Sequence, residues 1–536
     1  MKNFIGVNRH HNGTTTLIKD GNVILSIEEE RLNRWKYEGT PILGILESKK
    51  YIDEINGIGI AGFLPLNVVE NNNIGNNYDM YSLLVARTFL IDKDKIFYSF
   101  DYSQDHHLTH AAGAFYNSGF DEAVSIVLDG AGSKVGLTKD KEESYTSFLC
   151  SYPNDFKVIE KTYYNRVKPH TKENPKSLGR QYAALTSHYG FYGTNDCGKV
   201  MGLSSYGKKR LDIDFYDFLS DYDTVNKYHP LYEPTLNMKD FQLAADVAFS
   251  LQKFVEEECL KIVLRNIEKT GCKNICVSGG FFMNCVNNYN LIKNLPEGTN
   301  LYVEPIAHDG GTALGAAKLA YYQYNEEYKK IPQTTTYYGP IYKKSDIAKR
   351  IVNENAKPIT YQGVASLLKD NKIVAIYQGR SEQGPRALGN RSILFNPKNK
   401  DGKDIVNTVK KREHFRPFAG TILQEYMNEY FDMAGLKESP FMCYAVDVKE
   451  EKIKEIPAIT HVDNTCRIQT LKKEFNPHFY NLISEFNKLT GTPILMNTSF
   501  NLAGEPIVET IDDALKTLHN SDIDYLYLPE LNIIIE

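Results

Sequence analysis

Between Gln378 and Pro397 the chain reads QGRSEQGPRALGNRSILFNP, which sets Arg380, Arg386 and Arg391 among glycine, proline and small residues after the apolar run VAIYQG. A guanidinium presents a fixed fork of donors that matches phosphate or carboxylate oxygens. Glycine lets backbone amides approach the same anion closely. A single such arginine is usually a solvated ion pair that contributes little. Three of them beside turn-forming residues point to an anion site on a rigid loop. More cations follow: Lys410, Arg412 and Arg416 in VKKREHFRPFAGTIL, then His461 and Arg467 in THVDNTCRIQT. Lys411 reads as a solvated charge. Arg416 lies between Phe415 and Phe418 and just before Pro417, so it is not on a smooth polar face. After the strand-like PILM comes NTSFN, where Asn497, Ser499 and Asn501 supply short hydrogen-bonding side chains. Residue chemistry implies a nucleotide or polyphosphate site and stops there.

A second constellation lies in the earlier half. His106 and His110 stand four apart in DHHLTHAAGAF. On a helix that spacing puts both imidazoles on one face, as a divalent metal requires. His107 falls about 100° away on the wheel and reads as structural. An isolated pair of this kind is more often two buried helix histidines. Two carboxylates change that balance: Asp129 closes a strand-like run, and Asp309 sits in HDGG. Two histidines plus carboxylates suit iron, manganese or magnesium chemistry. Asp129 has an alternative use, because Asp-Gly at a strand end can make an Asx turn.

These residues need elements to hold them. Three strand ends share one design, a strand followed by a tight polar or glycine-containing loop: Gly6 to Thr16, Leu128 to Ser133, and Ser278 to Asn284. Loops of this type expose backbone donors to phosphates, which favours a nucleotide cleft. TTLI and VILSI flank Asp20-Gly21-Asn22, a hairpin signal. A helix is expected near Asp105 to Tyr116, a strand at Ser125 to Gly130, a helix at Phe241 to Lys269, and a helix of small residues in ALGAAKLAYYQY. Ser133 to Lys239 reads as a long irregular stretch. The charged, then Pro/Thr-rich run Asn325 to Pro340 marks a domain boundary. Strands and helices alternate on both sides of it, so both domains are expected to be α/β, 1–335 and 336–536.

The 536 residues exceed one ordinary core. A hydrophobic share of 42% with 24% charged residues describes a globular protein. The net charge of -5 gives no global attraction to nucleic acid or an anionic membrane. No apolar run could span a bilayer, and the start MKNFIGVNRHHNG does not fit a signal peptide. Eight scattered cysteines without paired CxxC motifs argue against a zinc ribbon and fit a reducing, cytoplasmic setting.

In order along the chain, GVNRHHNGTTT, EEERLNRWK, HHLTHAAGAFY, VLDGAG, GKVMGLSSYG, SGGFFMNCVNN, HDGGTALGAA, GRSEQGPRALGNRSIL, KKREHFRPFAG, THVDNTCRIQT and NTSFNLAGEPIV resemble the O-carbamoyltransferases of the NodU/CmcH/TobZ type. The resemblance covers nearly the whole chain and is most specific in its C-terminal motifs. It implies an N-terminal TsaD-like domain of the actin, sugar-kinase and heat-shock-chaperone ATPase superfamily and a C-terminal YrdC-like domain. The latter would form carbamoyl adenylate from carbamoyl phosphate and ATP. The former, holding a divalent metal (iron first, with manganese or magnesium as alternatives), would pass the carbamoyl group to an acceptor hydroxyl. The matching positions are Arg386, Lys410, Arg416, Arg467, Ser499 and Asn501 for carbamoyl phosphate and adenylate, and His106, His110, Asp129 and Asp309 for the metal. Gly279, Gly280 and Asn284 match the adenosine-side loop, and His11 matches the general base. Where the family has Asp-Ala-Ser after this histidine, the present chain has Asn12-Gly13-Thr14, and His10 is an adjacent alternative base. The acceptor would be a sugar, a natural product, or a hydroxymethylated nucleotide or DNA. Self-association as a homodimer is implied by the family. Two other readings compete, a tRNA threonylcarbamoylation-type enzyme and an inactive nucleotide-binding regulator. Ala61 to Asn67 and the 133–239 stretch are candidate acceptor contacts, and Lys208 to Arg210 reads as a solvated charge run.

Overall fold

The computed structural model describes residues 2–62, 80–91, 98–102, 105–135, 140–168, 170–209, 213, 215, 240–324 and 329–536. Residues 63–67 of the candidate contact Ala61 to Asn67, the residue Arg210, part of 133–239 (chiefly 216–239) and residues 325–328 lie outside them. The chain divides into two compact units. One comprises Met1–Asn33, Tyr37–Asn287 and Asn294–Thr334; the other comprises Arg34–Lys36, Asn288–Lys293 and Thr335–Glu536. Among the described residues no helix is long and apolar enough to cross a membrane.

The first unit holds two sheets. β1 (Asn3–Asn8), β2 (Thr14–Lys19), β3 (Asn22–Glu28), β4 (Gly57–Ala61) and β5 (Tyr98–Asp101) form one in the order β3-β2-β1-β4-β5. β2 and β3 make the expected hairpin through Asp20-Gly21, both with positive φ. β1, β4 and β5 run parallel. The other sheet is ordered β11-β10-β6-β8-β7, with β6 (Glu122–Leu128), β7 (Lys134–Val135), β8 (Lys141–Ser151), β10 (Asn274–Ser278) and β11 (Asn300–Val303); β9 (Asp155–Asn165) pairs with β8.

The long irregular stretch expected after Ser133 is a correction. β8 and β9, eleven residues each, form a hairpin, and helices Leu178–His188 and Cys197–Ser204 follow it. The signal was hidden because Glu142, Glu143, Thr146 and Ser147 are buried along β8, which erases the two-residue alternation of apolar and polar residues.

The histidine helix, His106–Ser118, and the small-residue helix, Thr312–Tyr324, share one apolar core with residues of both sheets, including Phe4, Ala123, Phe148 and Cys276. Burying each large apolar side chain there contributes ~1.5–3 kcal/mol. Small residues set how close the backbones come. A Cβ added to Gly6 would lie 1.9 Å from the Ala313 carbonyl oxygen, and one on Gly315 only 1.8 Å from that of Thr109. The small-residue helix is therefore pressed against both β1 and the histidine helix, and this brings Asp309, just before its first turn, to the histidines.

The second unit is built on a ten-stranded sheet. Its strands are β12 (Ala356–Pro358), β13 (Val374–Tyr377), β14 (Arg391–Phe395), β15 (Ala419–Leu423), β16 (Phe431–Asp432), β17 (Ala445–Val448), β18 (Thr465–Leu471), β19 (Ile494–Ser499), β20 (Tyr525–Leu528) and β21 (Ile533–Ile535). They are ordered β12-β21-β20-β13-β14-β19-β15-β18-β17-β16. Helices Tyr361–Lys369 and Pro477–Thr490 cover it through Val364, Leu368, Phe479, Leu482 and Phe486. The second helix begins as its sequence dictates, with Asn476 accepting from the Phe479 amide and Pro477 in the first turn.

Candidate functional site

In the first unit the three strand-end loops converge with the histidine helix on one buried group. His106, His110, Asp129 and Asp309 each offer a ligand atom, all within 4.8 Å of one another. His106 Nε2 lies 3.2 Å from Asp129 Oδ2 and 3.9 Å from Asp309 Oδ1. His110 Nε2 lies 3.8 Å and 3.7 Å from the same two oxygens. The neighbours fix these side chains. The Gly280 amide donates to Asp129 Oδ1 (2.9 Å), Ser278 Oγ lies 3.3 Å from His110 Nδ1, and the His106 amide donates to Ser133 Oγ (3.1 Å). His107 turns away to Thr146 Oγ1 (2.8 Å) and Glu143.

Electrostatics prepares the group for a cation. Burial lowers the His110 imidazole, keeping it neutral. Burial and the facing Asp309 push Asp129 up, but His106 and His110 outweigh them and hold it below the usual carboxylate range. Burial likewise acts on Asp309 and is overcome by His11, His110 and His106. Neutral imidazoles and ionised carboxylates are the states a metal ligand needs. His110 Nε2 is buried with no hydrogen-bond partner, although it points at two carboxylate oxygens. The residues present therefore fit a divalent metal.

The loop after β1 adds a further layer. His11 Nε2 lies 3.3 Å from Asp309 Oδ2, and its Nδ1 lies 3.0 Å from Asn12 Oδ1. The Asp309 charge raises the His11 proton affinity, whereas burial lowers His10 to about 4. Gly279, with φ of 98°, packs where a Cβ would meet the Leu128 carbonyl at 2.2 Å. Asn284 exchanges hydrogen bonds with Gln252 and accepts from the Asn287 amide. Asn284 and Gly280 thus have internal tasks, Gly280 as the anchor of Asp129.

In the second unit Lys410 is buried and surrounded by uncharged oxygens. Its Nζ donates to the Ser499 carbonyl, to the Asn501 carbonyl (2.8 Å), to Asn501 Oδ1 (3.1 Å) and to Ser499 Oγ (3.4 Å). Ser499 Oγ in turn donates to Asn501 Oδ1 (2.6 Å). β19 ends at Ser499, so the turn that follows it holds both side chains on Lys410. Burial drives the lysine well below its ordinary proton affinity, and Arg412 and Arg416 reinforce the shift. Arg412 is lowered in the same way by burial, then by Arg416 and Arg467. Two buried cations, Lys410 and Arg412, that are further repelled by the less buried Arg416 and, for Arg412, Arg467 are complementary to a polyanion. The Arg416 guanidinium lies 3.5 Å from the Glu413 carboxylate and is about one-third exposed.

The opening trio of arginines is corrected by the geometry. Arg391 is fully buried, lies 3.8 Å over the Tyr377 ring, and donates to the carbonyls of Gln378, Gly379, Asn390 and Glu509. Arg380 donates to the carbonyls of Tyr338 and Gly339. Both hold the loop together, while Arg386, in the same loop, is half-buried. The sequence reading passed over Glu382. This buried carboxylate accepts from the amides of Leu388 (2.7 Å), Asn390 (2.7 Å) and Arg391 (3.3 Å) through one oxygen. Its signal was an acid inside a Gly/Pro-rich loop of like-charged guanidinium groups.

Comparison with known proteins agrees with these motifs. The family described as Carbamoyltransferase N-terminus matches residues 64–318, and Carbamoyltransferase C-terminus matches 365–534. The nodulation protein NolNO of Sinorhizobium fredii is 33% identical over 555 residues, covering 96% of this chain and 78% of its own. The chain belongs to the carbamoyltransferase family. Nodulation protein U of Bradyrhizobium diazoefficiens is 26% identical over 568 residues, covering 93% of this carbamoyltransferase and 92% of the relative. Among solved structures, full-length HypF in a phosphate- and nucleotide-bound form covers 61% of this chain and 56% of its own, with TM-score 0.38 and 15% identity.

Proposed function

We propose that this carbamoyltransferase works through carbamoyl adenylate and delivers its carbamoyl group to an alcohol. The second unit, with the YrdC-like role, binds carbamoyl phosphate and ATP on Arg386, Lys410, Arg416, Arg467, Ser499 and Asn501. Water releases phosphate from carbamoyl phosphate and leaves carbamate. A carbamate oxygen then attacks the ATP α-phosphorus, which forms carbamoyl adenylate and expels pyrophosphate. The fixed cations offset charge that builds on adjacent phosphates, without reorganising at the moment of reaction. The observation that supports this reading is the gathering of like charges in one place, Arg412 and Arg416 acting on buried Lys410 and Arg416 and Arg467 acting on Arg412.

The first unit, with the TsaD-like role, performs the transfer. His106, His110, Asp129 and Asp309 would hold a divalent metal, iron before manganese or magnesium on the mixed imidazole and carboxylate set. A bound metal there supplies Lewis acidity toward the oxygens of the adenylate. His11 takes the proton of the acceptor hydroxyl at Nε2, and Asp309 Oδ2, 3.3 Å away, stabilises the imidazolium that results. The alcohol oxygen bonds to the carbamoyl carbon, and AMP leaves. The net charge of -5 gives no global attraction to a nucleic acid, which favours a sugar or other natural-product alcohol as the acceptor.

The test is exchange of labelled pyrophosphate into ATP in the presence of carbamate, with pyrophosphate and phosphate release measured from carbamoyl phosphate and ATP. The wild-type protein should exchange, and Lys410→Met should lower the rate by ~10²–10³ through loss of a preorganised cation. Folded protein that neither exchanges nor releases pyrophosphate with iron, manganese or magnesium present would refute the adenylate route.

A further inference from the structure

The loop after β1 does something an extended chain cannot. Neighbouring side chains in a strand point to opposite faces, yet His10, His11 and Asp309 each bring a ligand atom within 4.8 Å of the others. The turn that achieves this is tightly held. Asn8, fully buried at the end of β1, donates from its side-chain amide to the carbonyls of His11 and Asn12 (3.1 Å each), and its Oδ1 accepts from the His10 amide (3.2 Å). Asn12 sits at φ of 59°, and Thr14 Oγ1 donates to its carbonyl (2.8 Å). The two imidazole rings stand 5.0 Å apart, inclined at 67°.

Asp309 faces both ways. Its Oδ1 lies toward His106 and His110, at 3.9 Å and 3.7 Å, while its Oδ2 lies 3.3 Å from His11. Asp309 thus turns one oxygen to the inner imidazoles and the other to His11, with His10 in the same outer group, so its two oxygens could serve two different cations. The outer pair differs from the inner one in access. The His11 side chain is 40% exposed, against 0% and 1% for His106 and His110. The outer place can thus exchange its ion with solvent while the inner group stays enclosed.

The geometry points to a second divalent-cation site, formed by His10, His11 and Asp309 Oδ2, that takes a borderline ion of the zinc or cobalt class and shares Asp309 with the inner metal group. Two imidazoles and one carboxylate oxygen with an open position are a ligand set zinc accepts. The inference rests on the proposed metal-binding role of His106, His110, Asp129 and Asp309, and it adds a regulatory consequence. An ion on His11 Nε2 occupies the lone pair that would take the proton of the acceptor hydroxyl. Excess zinc therefore switches off carbamoyl transfer in the first unit and leaves pyrophosphate exchange in the second unit running.

The test is equilibrium dialysis of the full chain against cobalt or zinc, with metal counted by mass spectrometry and the cobalt absorption bands recorded. The wild-type protein should bind two equivalents, and His10→Asn should bind one while keeping the bands of the inner ion. His10→Gln is a second variant of the same partly exposed loop position. Zinc inhibition of carbamoyl transfer should weaken at least tenfold in His10→Asn. A wild-type stoichiometry of one, or of two retained in both His10 variants, overturns the second site. Stoichiometry of one with normal pyrophosphate exchange leaves the proposed reaction standing, whereas loss of exchange strikes that reaction and not the metal count.

Discussion

Glu382 offers the sharpest check on the anion loop. Replacing it with alanine strands three buried amides that now share one carboxylate oxygen, those of Leu388, Asn390 and Arg391. Two of these bonds are short, at 2.7 Å, and charge-assisted; the third, at 3.3 Å, is weak. An orphaned buried donor costs ~1–3 kcal/mol. Two strong losses and one marginal loss give about 4 kcal/mol, roughly a thousandfold in an opening equilibrium. Glutamine keeps an acceptor oxygen and loses only the charge assistance, so Glu382→Gln should cost about 1–2 kcal/mol. Hydrogen exchange followed by mass spectrometry on peptides spanning 386–392 reads this directly, because protection reports local opening. Glu382→Ala should exchange there about a thousandfold faster than wild type, with Glu382→Gln in between and the first unit unchanged. Exchange within threefold of wild type for the alanine variant would refute the view that this carboxylate holds the loop. Equal effects of alanine and glutamine would show that the acceptor oxygen is not what matters.

Other expectations follow from the first unit. Gly315→Ala puts a Cβ 1.8 Å from the Thr109 carbonyl oxygen. Backbone cannot yield cheaply there, so a loss of ~3 kcal/mol or more is expected, with reduced metal retention on the displaced histidine helix; an unchanged melting temperature and metal content would contradict it. Lys318 is buried and donates to Asn117 Oδ1 (2.6 Å) and the Ile331 carbonyl (3.1 Å). Burial lowers its pKa from 10.5 to about 7, and Glu304 nearby only partly opposes this. Between those values the unfolded chain binds one more proton than the folded one, so stability should rise with pH by ~1.4 kcal/mol per unit. Lys318→Met should lower the slope between pH 7 and 10 by that amount, leaving the part due to Lys330 and Lys410, which burial also lowers; denaturant unfolding measures it, and identical slopes in variant and wild type would dismiss the argument.

The residues themselves carried a good deal. Hairpin chemistry at Asp20-Gly21, the four-residue spacing of His106 and His110, and the small-residue run Thr312–Tyr324 are local signals, and local signals fix local structure. The ordered motifs also carried the family, because the types and order of residues such as those in GPRALGNRS and NTSFN are properties of the chain alone. What the sequence could not show was which chemical group each side chain spends itself on. Arg380 and Arg391 look the same as Arg386 on paper, yet they are consumed by backbone carbonyls, because burial makes every unpaired carbonyl costly. Glu382 reads as one more surface acid until three amides are seen on a single oxygen. The β8–β9 hairpin escaped because polar residues buried along β8 broke the alternation that marks a strand. Asp309, nearly two hundred residues beyond the histidine helix, joins it only through the close approach of two glycine- and alanine-rich helix backbones. That meeting depends on distances between elements far apart in the chain, so only the tertiary structure could decide it.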